Sequence, residues 1–346
     1  MQLPIHHNFY MPAEWQPHRC CWMGFPSGAL DWLENLDAFR HNFAQVVQAI
    51  AQFEPVSLLV KPEQLTLAKR DCGTQNIEFI CLPYDDVWLR DTGPTFVIDG
   101  KQKLAGVNWR FNAWAENQED IQDYQQDVQL ATTILAQRHL PCYSAPLVLE
   151  GGAIYADGEG TLLATEQCLL HPDRNPHLTR CKIEAYLHNY LNISKVIWLK
   201  QGLQDDETTG HIDNLATFVR PGVVLALSSH DPNDGNSAIL QENLRQLRTA
   251  TDAKGRKLEV IEIPQPARRD YRGLRMTLSY INFYPANGGI IMPIFDDPAD
   301  AAAVSIMRDL FPQHQIIPLN ILEVLRGGGG IHCITQQEPI AQKPAR

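Results

Sequence analysis

Five stretches of the chain carry apolar residues three or four positions apart. They are Leu36, Phe39, Phe43, Val46 and Ile50; Ile121, Tyr124, Val128, Ala131 and Leu135; Ile183, Leu187 and Leu191; Leu240, Leu244 and Leu247; and Val304, Met307 and Leu310. Each set falls on one face of a helix, so each predicts an amphipathic helix with one buried side. Ser237 is the expected N-cap of the fourth, and Asp297 with Pro298 the N-cap and first residue of the fifth. A short apolar run follows each helix, at 56–60, 145–149, 196–199, 258–263 and 315–319. Further strands are expected at 78–82, 95–98, 161–165, 223–227 and 290–294. The chain therefore reads as five α/β modules, with an insertion around residues 109–119 between the first two helices. Such a repeat predicts either blades around a common centre or an ordinary α/β sheet, and periodicity does not choose between them.

No Ser/Gly or charged tract divides the chain, so one domain is expected over residues 1–346. Its core should run from about residue 10 to 339, with the tail frayed from Glu338 onward. An apolar fraction of 44% with 20% charged residues fits a folded domain rather than a disordered one. There are 29 basic against 40 acidic residues, a net charge of −11, which disfavours nucleic acid as a partner and tolerates a small cation. The longest apolar runs fall far short of the ~20 residues a spanning helix needs, so no membrane partner is expected. The start, Met1-Gln2-Leu3-Pro4-Ile5-His6-His7, lacks a basic region followed by an apolar one, which points to the cytoplasm. The eight cysteines contain no CxxC pair and read as reduced thiols.

Four segments concentrate reactive side chains. Tyr84-Asp85-Asp86-Val87-Trp88-Leu89-Arg90-Asp91 crowds carboxylates, a guanidinium and an indole ahead of Gly93-Pro94. Glu150-Gly151-Gly152 places an acid before two glycines that permit close backbone approach. His211-Ile212-Asp213 would put imidazole and carboxylate on one face if the segment is extended. Four consecutive glycines, 327–330, precede His332 and Cys333; such a run is costly in chain entropy and can bring backbone and a nucleophile against a ligand. Each segment also has a plain structural reading: turn caps, a tight turn, a polar strand edge, a buried thiol in a final strand. Together they offer a thiol, an imidazole and several carboxylates. That set suits a metal site, thiol acyl transfer, or thiol attack on a cationic carbon gripped by two carboxylates. A guanidinium fits the last case, because its planar fork matches carboxylates.

Trp88-Leu89-Arg90-Asp91-Thr92-Gly93-Pro94, Glu150-Gly151-Gly152, Gly210-His211-Ile212-Asp213-Asn214, Ser279-Tyr280-Ile281-Asn282-Phe283-Tyr284 and Gly329-Gly330-Ile331-His332-Cys333-Ile334-Thr335-Gln336-Gln337 resemble agmatine deiminases. So does Pro12-Ala13-Glu14-Trp15. These enzymes form the peptidylarginine-deiminase-like branch of the guanidino-group-modifying enzymes. The resemblance implies a pentein fold, five α/β modules arranged as a pseudo-fivefold propeller. It implies hydrolysis of agmatine to N-carbamoylputrescine and ammonia in putrescine and polyamine synthesis, through a covalent amidino-cysteine and with no metal or other cofactor. Carried over by position, Cys333 is the nucleophile and His211 the general acid and base. Asp91 and Asp213 clamp the guanidinium, Glu150 orients His211 or adds a substrate contact, and Trp88 packs on the substrate. The Gly330 backbone also falls in the substrate site. A homo-oligomer is compatible with the resemblance. Residues 23–32 depart from the family pattern, which bears on the substrate's far end. The alternatives are a deiminase of arginine or peptidylarginine, an amidinotransferase, and, outside the family, a zinc hydrolase using His211, Asp213 and Cys333 with His332 nearby. A strand conformation would send His332 and Cys333 to opposite faces and weaken that last reading.

Overall fold

Five small sheets repeat one connection in the computed structural model, which describes residues 3–27, 35–101, 103–115 and 124–341. An inner strand turns back on a central strand; the chain crosses over through a helix; an outer strand returns parallel to the central one. The second unit is Thr95–Ile98, Leu104–Arg110, helix Gln125–Gln137 and Cys142–Val148. The third is Tyr155–Ala156, Thr161–Thr165, helix Arg180–Leu191 and Lys195–Leu199. The fourth is Ala216–Arg220, Val223–Ser228, helix Asn236–Thr249 and Glu259–Pro264. The fifth is Tyr284–Ala286, Gly289–Ile294, helix Asp300–Leu310 and Gln315–Asn320. The first unit takes its inner strand, Gln336–Pro339, from the far end of the chain. That strand pairs antiparallel with His18–Gly24, and helix Leu36–Ala51 leads to Val56–Leu59. A second helix, Leu65–Cys72, adds an extra parallel strand, Ile77–Ile80.

The pattern explains these elements. Helix Leu36–Ala51 buries Phe39, Phe43, Val46, Val47 and Ile50, and the Asn35 side chain caps it by accepting from the Ala38 N–H. Central strand Val223–Ser228 is buried at every position, as an unbroken apolar run requires. One apolar cluster joins the first, fourth and fifth units with part of the third. A second lies between the second and third units, and a third between the first and second. No helix among the described residues is long and apolar enough to cross a membrane.

Several expectations change. Ser237 is inside its helix, and its hydroxyl bonds Ser229; the N-cap position is Gly235, and Asp234 Oδ1 just before it accepts from the Asn236 N–H at 2.8 Å. Asp297 accepts from the Ala299 N–H, but the fifth helix begins only at Asp300. Glu338 is not frayed: it is fully buried, with Oε2 accepting from Trp22 Nε1 at 2.9 Å and Arg138 Nε at 3.1 Å. Residues 331–334 form a turn rather than a final strand, and Ile212–Asn214 is a 3-10 turn rather than an extended segment. Ile121, residues 116–119 of the insertion, 28–32 of the departing segment and the last five residues lie outside the described residues.

Candidate active site

Five short turns carry the chemistry, and each lies just ahead of the inner strand of a unit. Leu89–Thr92 precedes Thr95, Gly151–Ala153 precedes Tyr155, and Ile212–Asn214 precedes Ala216. Residues 279–282 precede Tyr284, and 331–334 precede Gln336. Successive turns touch. The Gly152 N–H donates to Asp91 Oδ1 at 2.9 Å, and Glu150 Oε2 lies 3.6 Å from His211 Nε2. Asn282 Nδ2 donates to Asn214 Oδ1 at 3.0 Å, and the His332 N–H donates to Asn282 Oδ1 at 2.9 Å. The Arg90 N–H donates to the Cys333 carbonyl at 3.1 Å, which returns the series of contacts to the first turn.

Cys333 is 6% exposed. Its Sγ lies 3.3 Å from Asn282 Nδ2 and 3.6 Å from Asp213 Oδ2. Burial pushes the thiol well above its ordinary range, and the Asp213 and Asp91 charges push it further. Without a bound cation the group is therefore a thiol rather than a thiolate.

His211 is buried, with Nδ1 3.9 Å from Asp91 Oδ2 and Nε2 3.6 Å from Glu150 Oε2. Neither nitrogen reaches a hydrogen bond in this geometry. Burial alone would lower its titration, but the Asp91 charge, with Cys168 and Glu150, outweighs that and holds the ring protonated well above an ordinary histidine. Burial raises the Asp91 carboxyl, partly offset by His211. Asp91 Oδ2 accepts from Trp114 Nε1 at 2.8 Å. Residues 113–115 all adopt left-handed backbone, with φ of 52°, 57° and 65°, a strained arrangement that presents the indole to Asp91.

Glu150 is fully buried, and both its oxygens accept from Arg174 Nε, at 2.9 and 3.0 Å. Arg174 also donates to the Thr209 hydroxyl and to the Thr208 carbonyl. Burial would raise Glu150, but the guanidinium outweighs it and keeps the carboxylate below its usual range. Gly152 sits among the three reactive groups: a Cβ there would lie 2.6 Å from His211 Nδ1 and 3.0 Å from both Asp213 Oδ2 and Asp91 Oδ1. Trp88 is buried edge-on against Phe39, with its ring on Gly329. Gly330 packs its α-carbon on the Asn282 amide, which in turn reaches the thiol.

All the expected site residues thus gather at the turns. Arg174, Trp114, Glu14 and the role of His332 were not foreseen. Arg174 lies in His171-Pro172-Asp173-Arg174-Asn175, where nothing marks it as buried. Glu14 and His332 stand in the quoted motifs without a role, and Trp114 lies in the insertion.

Glu150, Cys168 and His211 place ligand-type atoms within 4.8 Å of one another. Arg174 already takes both Glu150 oxygens, so a cation there would press against a guanidinium, and the set does not fit a resident metal. The set envisaged for zinc fits no better, since Asp213 Oδ2 is engaged by His332 Nδ1 at 2.9 Å. Arg174→Gln should leave Glu150 buried and unpaired, costing about 3 kcal/mol and measurable as a lowered Tm. Burial would then favour protonated Glu150, and His211 would lose an anion. The alkaline limb of the pH–rate profile should therefore move to lower pH.

A buried thiol, a histidine between the acids Asp91 and Glu150, and the further carboxylate of Asp213 make this an α/β protein with a cysteine–histidine–carboxylate centre. The chain belongs to the Porphyromonas-type peptidyl-arginine deiminase family, whose pattern it matches over residues 10–339. It is 44% identical to the agmatine deiminase of Stutzerimonas stutzeri over 357 residues, covering 97% of each chain. The structure of the Enterococcus faecalis agmatine deiminase covers 99% of both chains with a TM-score of 0.94 at 35% identity. A C. jejuni agmatine deiminase solved with substrate bound gives a TM-score of 0.87 at 25% identity, over 95% of this chain and 96% of that one.

Proposed function

We propose that this chain is an agmatine deiminase, converting agmatine and water to N-carbamoylputrescine and ammonia in polyamine synthesis in the cytoplasm. The observation that carries the reading is the convergence of Cys333, His211, Asp91 and Asp213 around Gly152. In this reading the guanidinium lies between Asp91 and Asp213, which orient its carbon toward Sγ. Its positive charge lowers the thiol's hold on its proton, which passes to solvent, and the thiolate adds to the carbon. His211, held in register by Glu150, protonates the departing nitrogen as the C–N bond breaks. The resulting neutral imidazole takes a proton from water, which attacks the amidino-thioether and releases the sulfur. Trp88 and the Gly330 backbone line the same space. We also infer that the five units stand around a pseudo-fivefold axis as one propeller domain; the closed series of turn-to-turn contacts supports that arrangement.

The charges favour an amine-ended substrate over an amino acid. Arg90 is paired with Glu14 at 3.0 Å, Arg174 with Glu150, and His332 with two acids, so each of these three charges is already balanced by an acid of the protein. The test is ammonia release with a ureido-product assay on agmatine and arginine, each with and without EDTA. Turnover of agmatine, unaffected by EDTA and far above that of arginine, is expected. Loss of activity on chelation, restored by a divalent metal, would overturn the mechanism.

A further inference from the structure

His332 has both ring nitrogens against carboxylates. Nδ1 lies 2.9 Å from Asp213 Oδ2, and Nε2 lies 3.1 and 3.0 Å from the two Glu14 oxygens. A neutral imidazole donates from one nitrogen only, so it would set a lone pair against one of the acids. With both acids ionised, both contacts are satisfied together only by the imidazolium. The other neighbours are Arg90, Tyr155 and Cys333. Arg90 Nε donates to the His332 carbonyl at 3.3 Å, and its Nη1 donates to Glu14 Oε1 at 3.0 Å. The Tyr155 ring stacks on the imidazole at 6.0 Å. Burial and Arg90 push the titration of His332 down, but Glu14 and Asp213 outweigh them. The two acids and two cations balance, which lets the group stay buried. Asp213 Oδ1, by contrast, is buried without a hydrogen-bond partner.

We propose that His332 is a positioning residue, an imidazolium clamped by Glu14 that fixes Asp213 Oδ2 and leaves Oδ1 open to a substrate N–H. The proposal rests on the deiminase reading of Cys333 and Asp213. It gives work to two motifs that the thiol chemistry alone leaves idle, Glu14 near the start of the chain and the residue preceding the nucleophile. His332 acts through Asp213 and does not touch the reacting atoms.

The first test does not depend on turnover. In ligand-free protein carrying 15N-labelled histidine, with the signals assigned by their loss in His332→Gln, both His332 nitrogens should be protonated at neutral pH and stay so above the range where an ordinary histidine loses its proton. A single protonated nitrogen at neutral pH overturns the proposal, whatever the substrate proves to be. The second test is kinetic. His332→Gln should lower kcat/KM for agmatine about 30-fold, the scale of losing a group that orients a reacting ligand. Glu14→Gln removes one anion and leaves His332 facing Arg90. Its alkaline limb should move down by about one to two pH units, because the imidazolium now deprotonates earlier. A purely structural role would lower activity evenly across pH, so a folded Glu14→Gln protein with an unmoved limb overturns the proposal. Should that variant not fold, the histidine spectrum of the unaltered protein decides. If the unaltered protein turns over no agmatine, the deiminase reading fails while the spectrum still decides the charge on His332.

Discussion

Cys333→Ala is expected to abolish agmatine turnover, lowering kcat on the order of 10^5-fold or more, the scale at which removal of a covalent nucleophile is felt. Binding should survive, because Asp91 and Asp213 stay in place to hold the guanidinium. The fold should also survive. Sγ makes one contact with an amide and one with a carboxylate, and a thiol kept protonated by burial and two acids contributes little to folding, so stability should change by no more than about 1 kcal/mol. None of the other seven cysteines can substitute. Cys20, Cys21 and Cys72 are buried away from the turns, Cys81, Cys142 and Cys181 are exposed, and Cys168 packs near the edge of His211. Burnt-out activity with agmatine still bound, read by calorimetry, is the expected pair of results. Turnover within tenfold of the unaltered protein would remove the covalent route and leave only direct attack by water.

The same residue shows what was legible in the sequence. Helix positions were readable because each helix has a single wet face, and strands 95–98 and 161–165 appear where the apolar runs place them. Most of the other inner strands were not readable. Gln336–Pro339 is Gln-Gln-Glu-Pro, polar throughout, yet buried at every position. Its burial is possible because the Glu338 carboxylate is met by Trp22 and Arg138, residues some 200 to 316 positions away along the chain. A pattern rule that looks for apolar residues cannot see a buried acid whose partners come from elsewhere. Missing that strand hid how the chain's two ends share one sheet, and made the tail look loose.

The site divides in the same way. Reactive side chains clustered visibly at four places, with 279–282 marked only by the resemblance, and all five proved to be equivalent, each a turn feeding an inner strand. Local geometry was harder. His211 and Asp213 share the site through a 3-10 turn, not through the alternation of a strand. His332 and Cys333 both reach Asp213 Oδ2, at 2.9 and 3.6 Å, because residues 331–334 curl, whereas a strand would have parted them. The supporting ions were invisible, since Arg174 meets Glu150 across 24 residues and Glu14 meets His332 across 318.

Gly152→Ala should cost activity on the order of 10^3-fold and about 1–3 kcal/mol of stability, and it isolates positioning from chemistry. The added methyl carbon would stand 2.6 Å from His211 Nδ1 and 3.0 Å from Asp213 Oδ2 and Asp91 Oδ1, closer than carbon approaches nitrogen or oxygen without something moving. None of the three groups can move freely. Asp91 is tied to Trp114 and to the Gly152 N–H itself, Asp213 to His332, and His211 is walled in by burial. The relief must come from small displacements of all three, and a shift of about 1 Å in a reacting group already costs about 10²-fold. The substitution removes no charge, hydrogen-bond donor or acceptor, so the thiol, imidazole and carboxylates all remain. The variant should therefore fold, carry one alkylatable buried thiol at position 333, and show a raised KM together with a lowered kcat, since the clamp and the acid are both displaced. Gly151→Ala makes a poor control, because its methyl would strike the Arg90 backbone carbonyl. Gly100→Ala, with open space around it, is the right one and should be silent. A Gly152→Ala protein with undiminished kcat/KM would mean that substrate binds outside the space bounded by His211, Asp91 and Asp213. The roles given to all three would then have to be withdrawn.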